Sequence, residues 1–499
     1  MSTTDLVAAS IVAPHGRQYS SFSKAAKAAH PAPSIFSARD HRAHLLRRAT
    51  FGASPADVKS LAKLGVNKWL AKQLKPETLA DPQGDAAWRA FPLAGASAAT
   101  ITRSIPRYSW EAMFQTSQAA LARQMFSSRQ LYEVVVDIFA NHLHVAIPGE
   151  QWNTSPDYLR TVIRAHAFGR YSDMLVAAMR HPAMLTYLGN DQSRKAAVNE
   201  NLGRELLELH TVGVTAGYTE ADVKASAAIL SGRTWNWQTG QYVFDASQHV
   251  TGRVRVMGFT HSNAVAAQGH AVGDAYLHYL AMHPATARMI ARIIATRFVS
   301  DTPSADLVNR LARVYLAHGS DIRQVVKAVF RSSDFWASVG TRMRRPLEDA
   351  VGAVRAIGIS CGPHMAAAVA NIYWYLDSSG QTPFGWNPPN GYPDVADAWL
   401  GAGSMIQRWN LHRVLVYGWW SGLGYRDPAT LVKRVPGMTA SAWARAAAKR
   451  LLHTTPSTRH LSAVLVGAGL RASAPAPTSS WECGKVASLL LDSAYFQLR

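Results

Sequence analysis

The side chains best suited to chemistry gather in two stretches, 131–149 and 199–223. In the first, LYEVVVDIFANHLHVAIPG, helical winding puts Asp137, Asn141 and His144 at i, i+4 and i+7, a narrow polar stripe on an otherwise apolar cylinder. Such a helix is expected to be mostly buried. Buried polar groups need partners, so the stripe either meets neighbouring helices or faces a polar cavity. His142 points elsewhere, alongside Leu131, Val135 and Ile138, the usual setting of a hydrogen-bonded core histidine.

In the second stretch, NENLGRELLELHTVGVTAGYTEADV, one helix face carries Leu202, Gly203, Leu206 and Leu209 with His210 among them. Opposite lie Glu200, Asn201, Arg204 and Glu208, with Glu205 nearer the boundary. Two readings fit. Glu200, Arg204 and Glu208 form an i, i+4, i+8 ion-pair ladder on a solvated face, worth about 0.2–0.5 kcal/mol per pair. Alternatively, three carboxylates within little more than two turns suit a divalent cation or an acid/base pair, if that face is buried. Spacing alone leaves both open.

The first functional expectation is therefore an enzyme, metal-dependent or acid/base, with a His/Asn/Glu pocket between the two helices. Glu205 and Glu208 would be metal ligands or acid/base groups, His142 a ligand or proton acceptor, Asn141 an orienting partner and Arg204 an anion clamp. A metal, if used, would be a divalent cation on His142, Glu205 and Glu208. The alternative is a non-catalytic scaffold or binding protein for an acidic partner, with Arg204 neutralising Glu200 and Glu208. A loop would then present Trp386 and Tyr392 as aromatic anchors.

Other signatures are missing from the sequence. There is no GxxxxGK[ST], no strand-embedded GxGxxG, no paired CxxC and no HExxH, so phosphate-loop, dinucleotide, thiolate-zinc and zincin chemistry lack support. His249 and His261 match no ligand template.

The elements that must position these residues are helices. A basic helix from His41 stops at Gly52, and Ser54, Pro55 and Asp57 write a new start that runs to about Leu74. Residues 76–106 read as irregular. Helical periodicity then dominates 107–146, 158–188, 199–209, 220–230, 276–298, 307–318, 322–330 and 347–357. Thr, Trp, Tyr, Val and Phe around Gly240 and Gly252 predict a minor β-hairpin insertion at 233–258. A Pro-, Gly- and Trp-rich loop at 378–393 is too long for a mere connector. The expected fold is mainly α: one large multi-helix domain over 41–499, preceded by a flexible segment at 1–40.

The 499 residues are 48% hydrophobic and 17% charged, which excludes a disordered chain. No apolar run approaches the ~18–20 residues of a membrane-spanning helix. With only Cys361 and Cys483, a disulfide framework is excluded. The net charge of +20 favours anionic partners. The charges are dispersed, however, and the densest cluster, Arg342, Arg344 and Arg345, lacks interleaved aromatics, so specific nucleic-acid binding is not expected. As written the chain reads as cytoplasmic, and a start codon called too far downstream would hide an export signal.

Beyond these patterns the chain resembles a bacterial family, domain of unknown function 1800. The resemblance rests on successive landmarks: HLLRRATFGASPADV from His44, FANHLHV from Phe139, PAMLTYL from Pro182 and NENLGRELLELHTVGV from Asn199. It continues through GYTEADVKASAAILSGRTW from Gly217, HPATARMIARIIATRFVSD from His283 and SGQTPFGWNPPNGYPDVADAWL from Ser379. Where the family usually reads FWHNHF, this chain keeps Asn141 and His142 but carries Phe139 and Ala140. The usual HDxGxK reads HVTGRVR, and the usual GWPGG reads GYPDV. The resemblance implies a mainly helical protein, frequent export among relatives, and a sulfatase-like partner from neighbouring genes. It implies no reaction.

Overall fold

The computed structural model describes residues 41–499, so the segment expected to be flexible, 1–40, lies outside the described residues. Helix α1 (His41–Ala49) ends before the turn at Gly52, and α2 (Pro55–Gln73) opens on a capping box in which Ser54 and Asp57 satisfy each other's backbone N–H. Residues 76–106 are more ordered than their Pro and Gly content suggests, with short helices at Pro82–Arg89 and Ala98–Ser104. Pro82 marks a first helical turn rather than a break.

The long periodic stretch 107–146 divides at Ser127 into α3 (Glu111–Phe126) and α4 (Gln130–His142). Two further departures follow. Helix α5 (Tyr158–Arg164) is a π-helix, and α6 (Tyr171–Arg180) and α7 (Pro182–Tyr187) flank the extended residue His181. Helix α8 starts as an α-helix at Asn201–Glu205 and finishes as a π-helix at Leu206–His210. The wider i→i+5 winding buries Leu207 and leaves Leu209 half-buried, so the apolar face differs from the one that 100° per residue predicts.

Helix α9 (Glu220–Leu230) begins on a Thr219/Asp222 capping box. The β insertion is two hairpins, not one: β1 (Arg233–Asn236) with β2 (Gln241–Phe244), and β3 (Val254–Val256) with β4 (Phe259–His261). The periodic run 276–298 likewise splits, at His283, into α10 (Gly269–Ala281) and α11 (Pro284–Phe298). Helix α12 (Pro346–Ile357) is buried along its whole length. A third sheet pairs only Ser360–Cys361 with Leu423–Gly424. The described residues are thus mainly helical with small hairpins, and no helix among them is long and apolar enough to cross a membrane.

One hydrophobic cluster joins α1 near the start of the described residues to Phe496 near their end. Backbone meets backbone where α12 crosses the turn after α1: a Cβ on Gly52 would lie 2.6 Å from Gly352 Cα, so neither position accepts a side chain.

An ionic network threads this core. Arg297 on α11 pairs with Asp137 of α4 at 2.7 Å and with Asp394 at 2.6 Å. Arg342 reaches Asp394 at 2.5 Å, while Arg345 reaches Asp137 at 2.9 Å and Glu348 at 3.3 Å. Glu348 also takes Arg499 at 2.7 Å. The cluster Arg342, Arg344 and Arg345 is therefore interior: all three are buried, and they contribute nothing to a surface field. Next to it, buried His412 lies between Asp349 at 3.0 Å and Asp492 at 2.7 Å.

Candidate functional site

The polar stripe of α4 and the residues just past it hold the long loop between Ser378 and Ala396. Asn141 spends both ends of its amide on Tyr392: Nδ2 donates to the carbonyl at 2.9 Å, and Oδ1 accepts the N–H at 2.8 Å. His144 Nε2 donates to the Trp386 carbonyl at 2.5 Å. Asp137 grips Arg297 and Arg345, which both contact Asp394 just beyond the loop's Pro393. Tyr187 of α7 adds a fourth tie, its hydroxyl donating to the Asn387 carbonyl at 2.5 Å. The approach is close enough to require Gly391, which has φ +68 and where a Cβ would sit 2.2 Å from the Asn141 carbonyl oxygen.

Beneath the loop the two landmark helices meet through histidines. His142 Nε2 lies 3.0 Å from Tyr171 Oη, the Tyr171 hydroxyl donates to the His210 carbonyl at 2.5 Å, and His210 Nδ1 lies 3.0 Å from the His142 carbonyl. A carbonyl only accepts, so His210 carries its proton on Nδ1. The Tyr171 proton is committed to the His210 carbonyl, so His142 donates from Nε2. Each imidazole thus keeps a lone pair, on His142 Nδ1 and on His210 Nε2, and the latter is buried without a partner. Burial, aided by their mutual charge, lowers His142 to about 3; burial lowers His210 to about 4. The rings sit 6.0 Å apart.

The acids of α8 divide. Arg204 contacts Glu200 at 3.7 Å and Glu208 at 3.6 Å, the ladder its spacing allows, and makes its best bonds to Glu220 of α9 at 2.7 and 2.9 Å. Glu205 stands apart. It is half-buried and makes no hydrogen bond or ion pair with any described residue. Burial, then the Glu208 charge, raises its carboxyl above the ordinary value. Tyr187 feels it in turn, pushed up to about 12 by burial and by the Glu205 charge. The Tyr187 ring lies 6.3 Å from that of His144.

The structure thus brings Glu205 near enough to Tyr187 for its charge to act there, Tyr187 to His144, and His142 to Tyr171 and His210. It does not gather His142, Glu205 and Glu208 as a ligand set: among the described residues no group of three or more His, Cys, Asp or Glu side chains is placed to hold a metal ion. Asn141, Arg204 and Glu208 have their polar atoms engaged with the loop or with one another. Tyr171 and Tyr187 escaped sequence reasoning, because their partners lie 39 and 200 residues away and no spacing rule spans such distances.

The buried histidines set an acid limit. Burial lowers His44 and His142 to about 3 and His210 to about 4, against about 6.5 when unfolded. Between those values the unfolded chain binds more protons, so stability present above pH 6.5 is lost as pH falls. His412 runs the other way: burial opposes its charge, but Asp349 and Asp492 outweigh it and lift it to about 9. Its stabilisation is complete below 6.5 and lost as pH rises through 9. Urea midpoints should therefore peak near pH 6.5 and fall on both sides, by up to about 1.4 kcal/mol per pH unit for each group. A flat profile between pH 5 and 6.5 would contradict the buried-histidine assignment.

The family model described as protein of unknown function (DUF1800) matches residues 44–498, and the chain belongs to that family. No curated protein and no solved structure matches it.

Proposed function

We propose that this family member is an acid/base enzyme whose reacting groups meet where the end of α4, the π turn of α8 and the loop carrying Trp386 come together. One observation carries the reading: Glu205 is the landmark carboxylate without an ion pair among the described residues, half-buried and beside Tyr187. Burial raises that carboxyl above its ordinary value, the direction that suits a group that gives and takes a proton. In this reading Glu205 is the proton carrier and Tyr187 its neighbour at the substrate. His142, joined to Tyr171 and His210, supplies a neutral imidazole. Asn141 fixes the loop that closes the site, and Arg204 holds Glu208 away from the reaction. The placement of Glu205 just before a π-helical turn supports it, since such turns recur at functional sites. A divalent cation remains a proposal of residue type alone.

The arginine ladder favours a second reading. With Glu200, Glu208 and Glu220 all drawn to Arg204, the reading is a non-catalytic scaffold whose basic surface, in a chain of net charge +20, meets an acidic partner. Tyr392 is buried, in contact with the rings of Trp386 and Trp399, so the anchor role would fall to Trp386. A sulfatase-like partner rests on the resemblance alone. Turnover of cellular small molecules by wild type and Glu205→Gln separates the readings: loss of turnover in the variant supports the enzyme. Equal turnover overturns it, and a stoichiometric partner in a pull-down then favours the scaffold.

A further inference from the structure

A cleft of about 610 Å³ opens away from the Glu205 site, beside the first half of α4 and the π-helix α5. Its size is that of a small-molecule site. Five arginines line it, Arg123, Arg129, Arg160, Arg164 and Arg323, against only Glu77 and Asp85.

Two of the five are fixed from behind. Buried Glu133 accepts Arg123 Nε at 2.9 Å and both terminal nitrogens of Arg164 at 2.7 and 2.8 Å, and Arg123 also reaches Asp81 at 3.0 Å. The Arg164 guanidinium lies 5.1 Å from the Tyr132 ring centroid and 5.5 Å from that of Trp88, so its plane is held before any ligand arrives. The other three line the cleft with fewer ties. Arg129 bonds only the Leu79 carbonyl, at 2.9 and 2.7 Å, and has no carboxylate partner among the described residues. Arg323, over the Phe168 ring at 5.5 Å, has Glu77 at 3.6 Å, and that acid is largely exposed. Arg160 pairs with Asp157 on the preceding turn. Arg160 and Arg164, four residues apart on the helix Tyr158–Arg164, line the same wall.

We infer that this cleft binds a phosphate-bearing small molecule. Arg129 and Arg323 hold its phosphate, Arg164 adds a pre-set guanidinium, and the organic part packs on Trp88. Guanidinium forks match tetrahedral oxyanions in paired N–H bonds; Arg129 has no carboxylate to give up, and Arg323 has only the largely exposed Glu77 at 3.6 Å.

Calorimetric titration of the full chain with inorganic pyrophosphate at low salt tests this. One site per chain is expected, weakened by roughly tenfold or more in Arg129→Gln and in Arg323→Gln. Arg129 also ties down Leu79, so the half-exposed Arg323 provides the variant that leaves the fold alone, with far-ultraviolet circular dichroism as its check. No saturable binding, or equal binding by wild type and Arg323→Gln, overturns the site. Citrate bound as tightly as pyrophosphate overturns the phosphate assignment.

Discussion

Asp394→Ala is expected to lower the unfolding free energy by about 3–5 kcal/mol, the loss typical of breaking a buried ion pair by removing one partner. Asp394 is the shared acid of Arg297 at 2.6 Å, Arg342 at 2.5 Å and Arg345 at 3.6 Å. Burial alone would raise its pKa, but the three guanidinium charges outweigh that and hold it well below the ordinary carboxylate range. Without it, two of the arginines keep Asp137 and Glu348, while Arg342 keeps only Asp301, at 2.8 Å. Uncompensated charge in the core is what makes the change costly. Because Asp394 follows the loop that Asn141 and His144 hold, the variant should also cut faster in that loop under limited proteolysis. Urea unfolding checks the first expectation, and a loss below about 1 kcal/mol would mean that the network contributes no more than surface pairs do.

Gly391→Ala should cost roughly 2–4 kcal/mol, combining left-handed backbone strain with overpacking. The backbone there has φ +68, and the new methyl would stand 2.2 Å from the Asn141 carbonyl oxygen and 2.9 Å from its side chain. The side chain must move, or the loop must lift from α4, and in the second case the Tyr392 bonds break together. Gly403→Ala is the matched control, since nothing lies within 4 Å of a Cβ at that position and it should be neutral within about 0.5 kcal/mol. Equal midpoints for the two variants would show that the loop is not seated on Asn141.

These two expectations meet at the α4 stripe, which indicates what a sequence can reveal. Winding alone places Asp137, Asn141 and His144 on one face, because helix geometry is local. Their partners, at 297, 345, 386 and 392, are contacts of long sequence separation that no period encodes. Helix starts written by caps are equally legible: Ser54, Pro55 and Asp57 begin α2 where the residues indicate. By contrast, the π turns of α5 and α8 leave no mark in hydrophobic spacing, since one extra residue per turn shifts the buried face without changing composition. The basic run at 342–345 misleads for another reason. Arginine is read as a surface residue because burying it is costly, and here Glu348, three residues past Arg345, joins Asp137 and Asp394, distant in sequence, in offsetting that cost. The same logic divides the acids of α8: Arg204 accounts for Glu200 and Glu208 by spacing, whereas the isolation of Glu205 emerges only once Glu220 has taken the arginine's best bonds.

Glu205 is the reacting carboxyl of the proposed enzyme, and comparative turnover tests that role most directly. Wild type, Glu205→Gln and Glu208→Gln are each incubated with a small-molecule extract of the cells that make the protein, and consumption is followed by untargeted mass spectrometry. The prediction is a compound consumed by wild type and by Glu208→Gln at similar rates, with Glu205→Gln slower by roughly 10²-fold or more, the usual contribution of a general acid or base. Consumption of that compound at equal rates by Glu205→Gln and wild type would contradict it.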